Sequence, residues 1–481
     1  MNKKIHTDIC IIGAGPAGSC CALGLAQHGY TVCLIESDTF PRQHIGESLT
    51  AGILPLLKQL DVLAPIEAAG FYRPDAAILH WGNVDHSKPL AINSGGFQVD
   101  RGVFDTLLLD KAANTGVTVL QPATIEPPVD TGTNWRIEVN HQSQTKNVIA
   151  QKLVIATGRK TPVKNPLQRL SPPTLAAYAY WKNSAINGIE SRVEALTDGW
   201  LWGAPLPNGQ FNIALFSDPD SRHFNNYSTI HQHYLQSIAH SQLLNGCLAG
   251  EQQGELHICD AAAYVSKKPA DNRHFFIGSS ALGIDPLSSQ GVQLAIKTAL
   301  LATTALHTQL ASPQQSKAAI EFYAQKITDI AHQHQKIAER FYTEHAHKCN
   351  STFWNRRTSA PANKATTRPI KKTTAPAYSP HTTQLKLSSE ARLKNQPALV
   401  GEQVKSIRAL HHPGLERPVA FLQNVELARL LEFVEHRSRT TREIIHEWAP
   451  FTGIESAYKI LAWLLEFKVV NTVEYKNDTG S

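Results

Sequence analysis

The chain has 481 residues, 42% hydrophobic and 18% charged, with a formal net charge of +6. That length points to two or three domains with ample core, and the composition excludes wholesale disorder, collagen and coiled coil. The charge is local. Residues 351–400 hold nine Lys/Arg and one acid, whereas residues 1–350 and 401–481 each sum to −1, so neither flanking block offers the basic face a nucleic acid needs.

Thr7–Ile12 is short, apolar and ended by Gly13, which predicts a buried strand. Pro16–Gln27 predicts a helix stopped by Gly29, and Thr31–Ile35 a second strand closed by Glu36. Together they form a strand–turn–helix–strand unit. The uncharged stretch Ile9–Ala26 imitates a signal peptide or membrane span, but Gly13, Gly15, Pro16 and Gly18 interrupt it. The expectation is a cytoplasmic protein with no stable membrane insertion. Seven cysteines without CxxC or metal spacing, four of them in the first 33 residues, agree with a reducing compartment.

Alternating elements are expected to continue to about residue 160, closing on the strand Lys152–Ala156. Thr174–Trp181, Gly199–Pro205 and Gln210–Ser217 read as strands of an antiparallel sheet, with helical patterns at 228–245. Arg273–Ile277 reads as a return strand, followed by helices near Gly291–Leu306 and over 313–347. The Thr/Pro/Lys-rich stretch 355–396 reads as a flexible tether. Leu427–Val434, Thr441–Trp448 and Ala457–Phe467 are amphipathic helical patterns, and Val469–Tyr475 alternates like a strand.

The fold class is therefore α/β. A Rossmann-like domain spans 1–165 and 266–350, with an antiparallel-sheet substrate domain over 166–265. A basic linker covers 351–399, and a small winged-helix-like module covers 400–481. The last predicted helix carries Lys459 as its one cation, beside Tyr458, Ile460, Leu461 and Trp463. That suits a core or a protein partner rather than a DNA groove.

The strongest motif is Gly13-Ala-Gly15-Pro-Ala17-Gly18, placed between a predicted strand and a predicted helix. Gly13 permits the turn, Gly15 the approach of a pyrophosphate to the helix N-terminus, and Gly18 close helix–strand packing. Glu36, at the end of the next strand, is placed to accept from a ribose hydroxyl. The pairs His231/His233, His332/His334 and His345/His347 diverge on a helix and share no metal, so no metal site is expected.

GAGPAG, PRQHIGESL at 41–49, FQVDRGVFDTLLLDKA at 97–112, ATGR at 156–159, WLWGAPL at 200–206 and IDPLSSQGVQLA at 284–295 resemble the flavoprotein monooxygenase superfamily. Within it they resemble the flavin-dependent halogenases and their relatives. The resemblance implies FAD. It puts Arg42, Glu47 and Ser48 near the flavin, Arg101 toward the adenine-ribose or pyrophosphate side, and Gly158, Asp285, Pro286 and Gly291 in the later flavin contacts. It also makes Trp202, with Trp200, a wall between flavin and substrate chambers; a pair of core tryptophans is the other reading. Glu47 and His80 are the nearest titratable candidates for acid/base work, with a structural role as the alternative.

Two departures matter. The family often has Gly-Asp where this chain has Gly278-Ser279. The lysine that guides hypohalous acid in halogenases falls at Pro74, with Arg73 beside it, and an arginine does not replace a tunable amine. This favours oxygen insertion over halogenation. With one dinucleotide fingerprint, reducing equivalents must come from NAD(P)H docking transiently or from a partner flavin reductase. The combined features resemble the flavoprotein monooxygenases that mature the tryptophylquinone cofactor of quinohemoprotein amine dehydrogenase. The implied function is hydroxylation of an aromatic ring, a Trp side chain of a protein or peptide docked by the C-terminal module. A halogenase and a non-catalytic flavin-binding maturation factor are the alternatives.

Overall fold

The computed structural model describes residues 3–82, 84–85, 95–219, 226–349, 351–358, 382–415 and 417–473. It divides into two compact units, one of residues 1–312 and 323–360, the other of 313–322 and 361–481.

The first unit is built on two sheets. The first sheet runs Thr118–Leu120, Val32–Ile35, Lys3–Ile12, Gln144–Ile155, Trp135–His141, Ala123–Ile125, with His274–Phe276 pairing beside Gln144–Ile155. Its parallel half is near-continuously apolar because helices cover both faces: Ile9, Cys10, Ile11, Cys33 and Leu34 are fully buried. The helix Pro16–Gln27 packs on it and on Gly291–Ala311, where Gly24 leaves room for Thr303. Trp135–His141 pairs antiparallel with Gln144–Ile155. The expected βα alternation therefore gives way to a meander well before residue 160.

The second sheet has seven strands, ordered Glu251–Asp260, Leu175–Lys182, Phe211–Ser217, Gly199–Pro205, Ser191–Leu196, Ala77–Trp81 and Val84–Asp85. Neighbouring strands are antiparallel except Ser191–Leu196 with Ala77–Trp81. Two strands are thus drawn from the segment assigned to the first domain, so the substrate sheet does not begin at residue 166. Alternation sorts side chains to two buried faces. Ala177, Trp181, Leu201, Ile213 and Leu215 lie under the helix Tyr227–His240 through Ile230, Tyr234 and Ile238. Ala176, Trp200, Trp202, Ala214 and Phe216 face the other way, with Trp81, Tyr342, Phe353 and Trp354.

The linker assignment is corrected at both ends. Thr352–Asn355 is a helical turn that buries Phe353 and Trp354, and the Arg357 guanidinium pairs with Asp218 at 2.7 Å. At the far end, Gln384–Leu387 and Arg392–Val400 are strands. A ladder takes its hydrogen bonds from backbone, so a polar stretch with leucines at 385, 387 and 393 suffices once partner strands exist. The middle of the expected tether, 359–381, lies outside the described residues.

In the second unit Gln384–Leu387 is the central strand between Arg439–Thr440 and Val470–Thr472. Helices Leu427–Glu435, Thr441–Thr452 and Ile454–Glu466 pack a core of Leu427, Leu431, Ile444, Trp448, Ile460 and Leu464. A capping box of Thr440 and Glu443 starts the middle helix. Three helices and a small sheet make it winged-helix-like. Its central strand comes from the N-terminal side, not from a wing after the last helix. Arg392–Val400 and Gln403–His411 form a separate two-stranded ribbon.

Candidate active site

The strand Lys3–Ile12 ends at Gly13, whose φ of +100° and position 2.5 Å (as a Cβ) from the Ala156 carbonyl oxygen admit no side chain. A Cβ on Gly18 would lie 1.8 Å from the Gly13 carbonyl oxygen, so helix and turn touch backbone to backbone. Gly15 is the helix N-cap, and no side chain caps it. Gly13, Gly15, Pro16 and Ala17 instead line a groove of about 770 Å³ together with Glu36, Ser37, Thr124 and Gly291. Gly158, with φ +75°, lines it too.

Glu36 is buried at the end of its strand. Its Oε2 accepts from the Ala14 N–H at 2.6 Å, and its Oε1 from the Asp38 N–H at 3.0 Å and the Ser37 hydroxyl at 3.2 Å. A carboxylate takes about four donors, so one acceptor position on Oε2 remains. Arg42 reaches the turn: its Nη2 would lie 3.5 Å from a Cβ on Gly15. Its Nε and Nη1 are buried without a hydrogen bond, and its nearest carboxylate oxygens, on Asp38 and Asp105, are 3.6 Å away.

Arg101 is differently employed. Its guanidinium grips Asp105 through Nε at 2.9 Å and Nη2 at 3.0 Å, and Nη1 donates to the Ile45 carbonyl at 2.8 Å. It holds the loop 44–46 rather than extending a free charge.

That loop is shared with a second cavity of about 390 Å³, bounded by His44–Ser48, Trp202, Phe216, Cys259–Ala261, Tyr264, Pro286 and Gly291. Ser48 accepts from the buried Gln98 side chain at 3.1 Å. Glu47 is 2% exposed. Its Oε1 accepts from the Tyr180 hydroxyl at 2.7 Å and the Asn212 amide at 3.0 Å, and its Oε2 from the Gly46 N–H at 2.8 Å. Burial pushes this carboxyl above its ordinary range, against those donors and the nearby Arg101 charge.

Trp200 and Trp202 share a face, as alternation requires. They differ in role. Trp202 lines the cavity, whereas Trp200 is fully buried behind it, stacked on Phe216 at 3.9 Å. Two sequence assignments are corrected. His80 lies outside both cavities, with its Nδ1 3.6 Å from Glu194; it faces opposite to Trp81, its strand neighbour, which packs in the aromatic cluster. Asp285 turns away from the shared wall: it caps Leu287 and accepts from the Tyr342 hydroxyl at 3.0 Å. Its neighbours Pro286 and Gly291 keep to the cavity.

Tyr180 and Asn212, which hold Glu47, carry no motif of their own. Their signal was position: both fall on the same strand face as Trp202. Arg159 lay in the quoted ATGR stretch, and it lines the cavity with its guanidinium 4.1 Å from the Tyr264 ring and paired to Asp260.

The family model for pyridine nucleotide-disulphide oxidoreductases matches residues 7–174. A tryptophan 2-halogenase of Chondromyces crocatus is 28% identical over 376 residues, 74% of this chain and 71% of the relative. The chain is similar to the flavin-dependent halogenases. This flavoprotein is a flavin-dependent oxidoreductase, and its cofactor is FAD. Among solved structures its fold is similar to that of CmlS, a flavin-dependent halogenase, with a TM-score of 0.76 and 20% identity over 98% of this chain and 97% of that one. It is also similar to QhpG, described as a peptidyl tryptophan dihydroxylase essential for tryptophylquinone cofactor biogenesis, with a TM-score of 0.73 and 22% identity over 96% and 99%.

The groove fits FAD on three grounds: a Gly15 position that a side chain would fill, a helix start capped by no side chain, and buried Arg42 N–H groups without hydrogen bonds. Among the described residues no helix is long and apolar enough to cross a membrane.

Proposed function

We propose that the flavoprotein is an FAD-dependent monooxygenase that hydroxylates an aromatic ring. Its substrate is a tryptophan side chain in a protein or peptide undergoing cofactor maturation in the cytoplasm. The observation that carries this choice is the wall of the smaller cavity. Trp202, Phe216 and Tyr264 make it aromatic, and among the described residues no lysine lines it. Arg73, beside the position where halogenases keep their lysine, is exposed and committed to Glu67 at 2.8 Å and the Gly95 carbonyl at 3.2 Å. The similarity in fold to a peptidyl tryptophan dihydroxylase supports the same reading.

FAD, when bound, supplies the oxygen chemistry; the residues bind, orient and exclude water. Gly13, Gly15 and Ala17 would cradle the pyrophosphate, with Arg42 pairing its charge. Glu36 would take a ribose hydroxyl on its remaining acceptor position. Ser48, Gly158, Pro286 and Gly291 would border the ring. Glu47 and Arg101 both hold the loop 44–46, through the Gly46 N–H and the Ile45 carbonyl, and Trp202 offers the substrate ring a stacking face. The two caged carboxylates act through others: Glu47 through Gly46, Asp285 through the Pro286 turn. A single fingerprint supports reduction from outside, by NAD(P)H or a partner reductase. The second unit, with few cations on its last helix, supports docking of a protein or peptide and not of nucleic acid.

The test is mass spectrometry of product formed from a tryptophan-containing peptide with reductant, oxygen and bromide all present. Addition of oxygen is expected. A bromine isotope doublet would overturn hydroxylation in favour of halogenation, the reading that the curated tryptophan 2-halogenase favours.

A further inference from the structure

Behind the cavity wall lies a set of redox-capable rings that the reaction above does not use. Phe216 lines the cavity, and Trp200 stacks on its far side at 3.9 Å and 14°. Trp200 meets Trp81 edge-on at 6.1 Å, and Trp81 lies 6.1 Å from Tyr342. Trp354 closes the group, 5.1 Å from Trp81 and 5.8 Å from Tyr342. The rings are almost wholly buried. The indoles of Trp81 and Trp354 also donate to backbone carbonyls, but apolar packing alone would be met by phenylalanine or leucine. These positions instead hold indoles and a phenol, the side chains most easily oxidised by one electron.

The far end of the set has a feature that packing does not need. The Tyr342 hydroxyl lies 3.0 Å and 3.1 Å from the two oxygens of Asp285. A phenol that loses an electron becomes a strong acid, and it holds the resulting vacancy only if a base takes its proton at once. Asp285 is such a base, buried and aimed at that hydroxyl. Burial raises its proton affinity. The Arg357 guanidinium, 5.9 Å from the Tyr342 ring, disfavours a positively charged ring and so favours proton loss.

We propose that Trp200, Trp81, Tyr342 and Asp285 form a proton-coupled electron relay that drains one-electron oxidising events from the cavity wall into Tyr342. The balanced step, with light-excited oxidised FAD as the oxidant, is as follows. FAD gains one electron from Trp200. Trp200 is refilled through Trp81 from Tyr342. The Tyr342 O–H bond breaks, and its proton passes to an Asp285 oxygen. The net change is one electron from Tyr342 to FAD and one proton from Tyr342 to Asp285. A neutral tyrosyl radical remains, and Trp202 and the substrate are spared. This rests on FAD as cofactor, not on the choice between hydroxylation and halogenation.

The experiment uses the full chain loaded with FAD, its occupancy read from the visible absorption spectrum. The sample is frozen under blue light and examined by electron paramagnetic resonance. A tyrosyl signal is expected in the parent protein. Tyr342→Phe should lose it and accumulate an indole-centred signal instead, while Trp200→Phe should lower the tyrosyl yield with FAD still bound. An undiminished tyrosyl signal in Tyr342→Phe overturns the relay, as does its absence from FAD-loaded parent protein. Should Tyr342→Phe fail to hold FAD, Trp200→Phe decides, and an unchanged yield there overturns the relay. A parent protein that takes up no FAD overturns the cofactor assignment, and the relay with it.

Discussion

Gly15 and Gly18 sit three residues apart in one motif, yet substitution should affect them in different ways. A methyl group on Gly15 meets only Arg42 Nη2, at 3.5 Å, whereas one on Gly18 would lie 1.8 Å from a backbone oxygen. Gly15→Ala should therefore fold with stability changed by less than about 1 kcal/mol and lose FAD, because the methyl occupies the approach of the pyrophosphate. Gly18→Ala should cost at least the about 1–3 kcal/mol of an overpacked core. Denaturant unfolding of the FAD-free proteins, paired with FAD titration, separates the two. Glu47 gives a pH-dependent case. Its folded-state proton affinity is raised, so its contribution to stability is fully present below the ordinary carboxyl range and is lost as pH rises through the folded value. Tyr180 donates to the ionised form. Tyr180→Phe should thus raise the carboxyl further and destabilise by about 1–3 kcal/mol near neutral pH. The deficit should shrink as pH falls through the raised folded-state values, above the ordinary glutamate range. Unfolding measured across that range would show a pH-independent deficit if the hydroxyl served only packing.

The elements near the N-terminus were legible because each signal is local: strand, glycine turn, helix and acid follow within about 30 residues. The Glu47 cage was not, because Tyr180 and Asn212 arrive from strands 133 and 165 residues away. Asp285 and His80 were placed correctly along the chain and misjudged in direction, since a motif fixes a backbone path before it fixes where a side chain points. The helical turn Thr352–Asn355 was missed because its neighbours are polar and basic, so composition averaged its two aromatics away. Yet Trp354 is fully buried and donates to the carbonyls of Leu196 and Thr197, each at 2.9 Å. Trp354→Ala should cost about 3–5 kcal/mol, measured by denaturant unfolding. A change within about 0.5 kcal/mol, the size expected of a surface residue, would return this stretch to the linker.

For the molecule as a whole, the +8 carried by residues 351–400 no longer belongs to one tether. Arg356 and Arg357 are spent on Asp218 inside the first unit, while Lys386, Arg392 and Lys394 lie on strands of the second. Between them Lys364, Arg368, Lys371 and Lys372 remain as the charges of the connecting stretch itself. If those four serve only as solvated linker, neutralising them changes nothing but solubility. If they hold an acidic protein substrate near the cavity, they act by raising its local concentration, and salt must weaken the effect because exposed charges are screened within about 10 Å at 0.1 M. Replacing all four by Gln should then raise KM for a protein substrate at low ionic strength. The difference from the parent should close as salt is added, with kcat and FAD affinity unchanged. A short tryptophan peptide without acidic residues is the control, and its KM should not move. Steady-state kinetics of both substrates at two ionic strengths decide the matter, and equal KM values for the protein substrate at low salt would leave the stretch a plain connector.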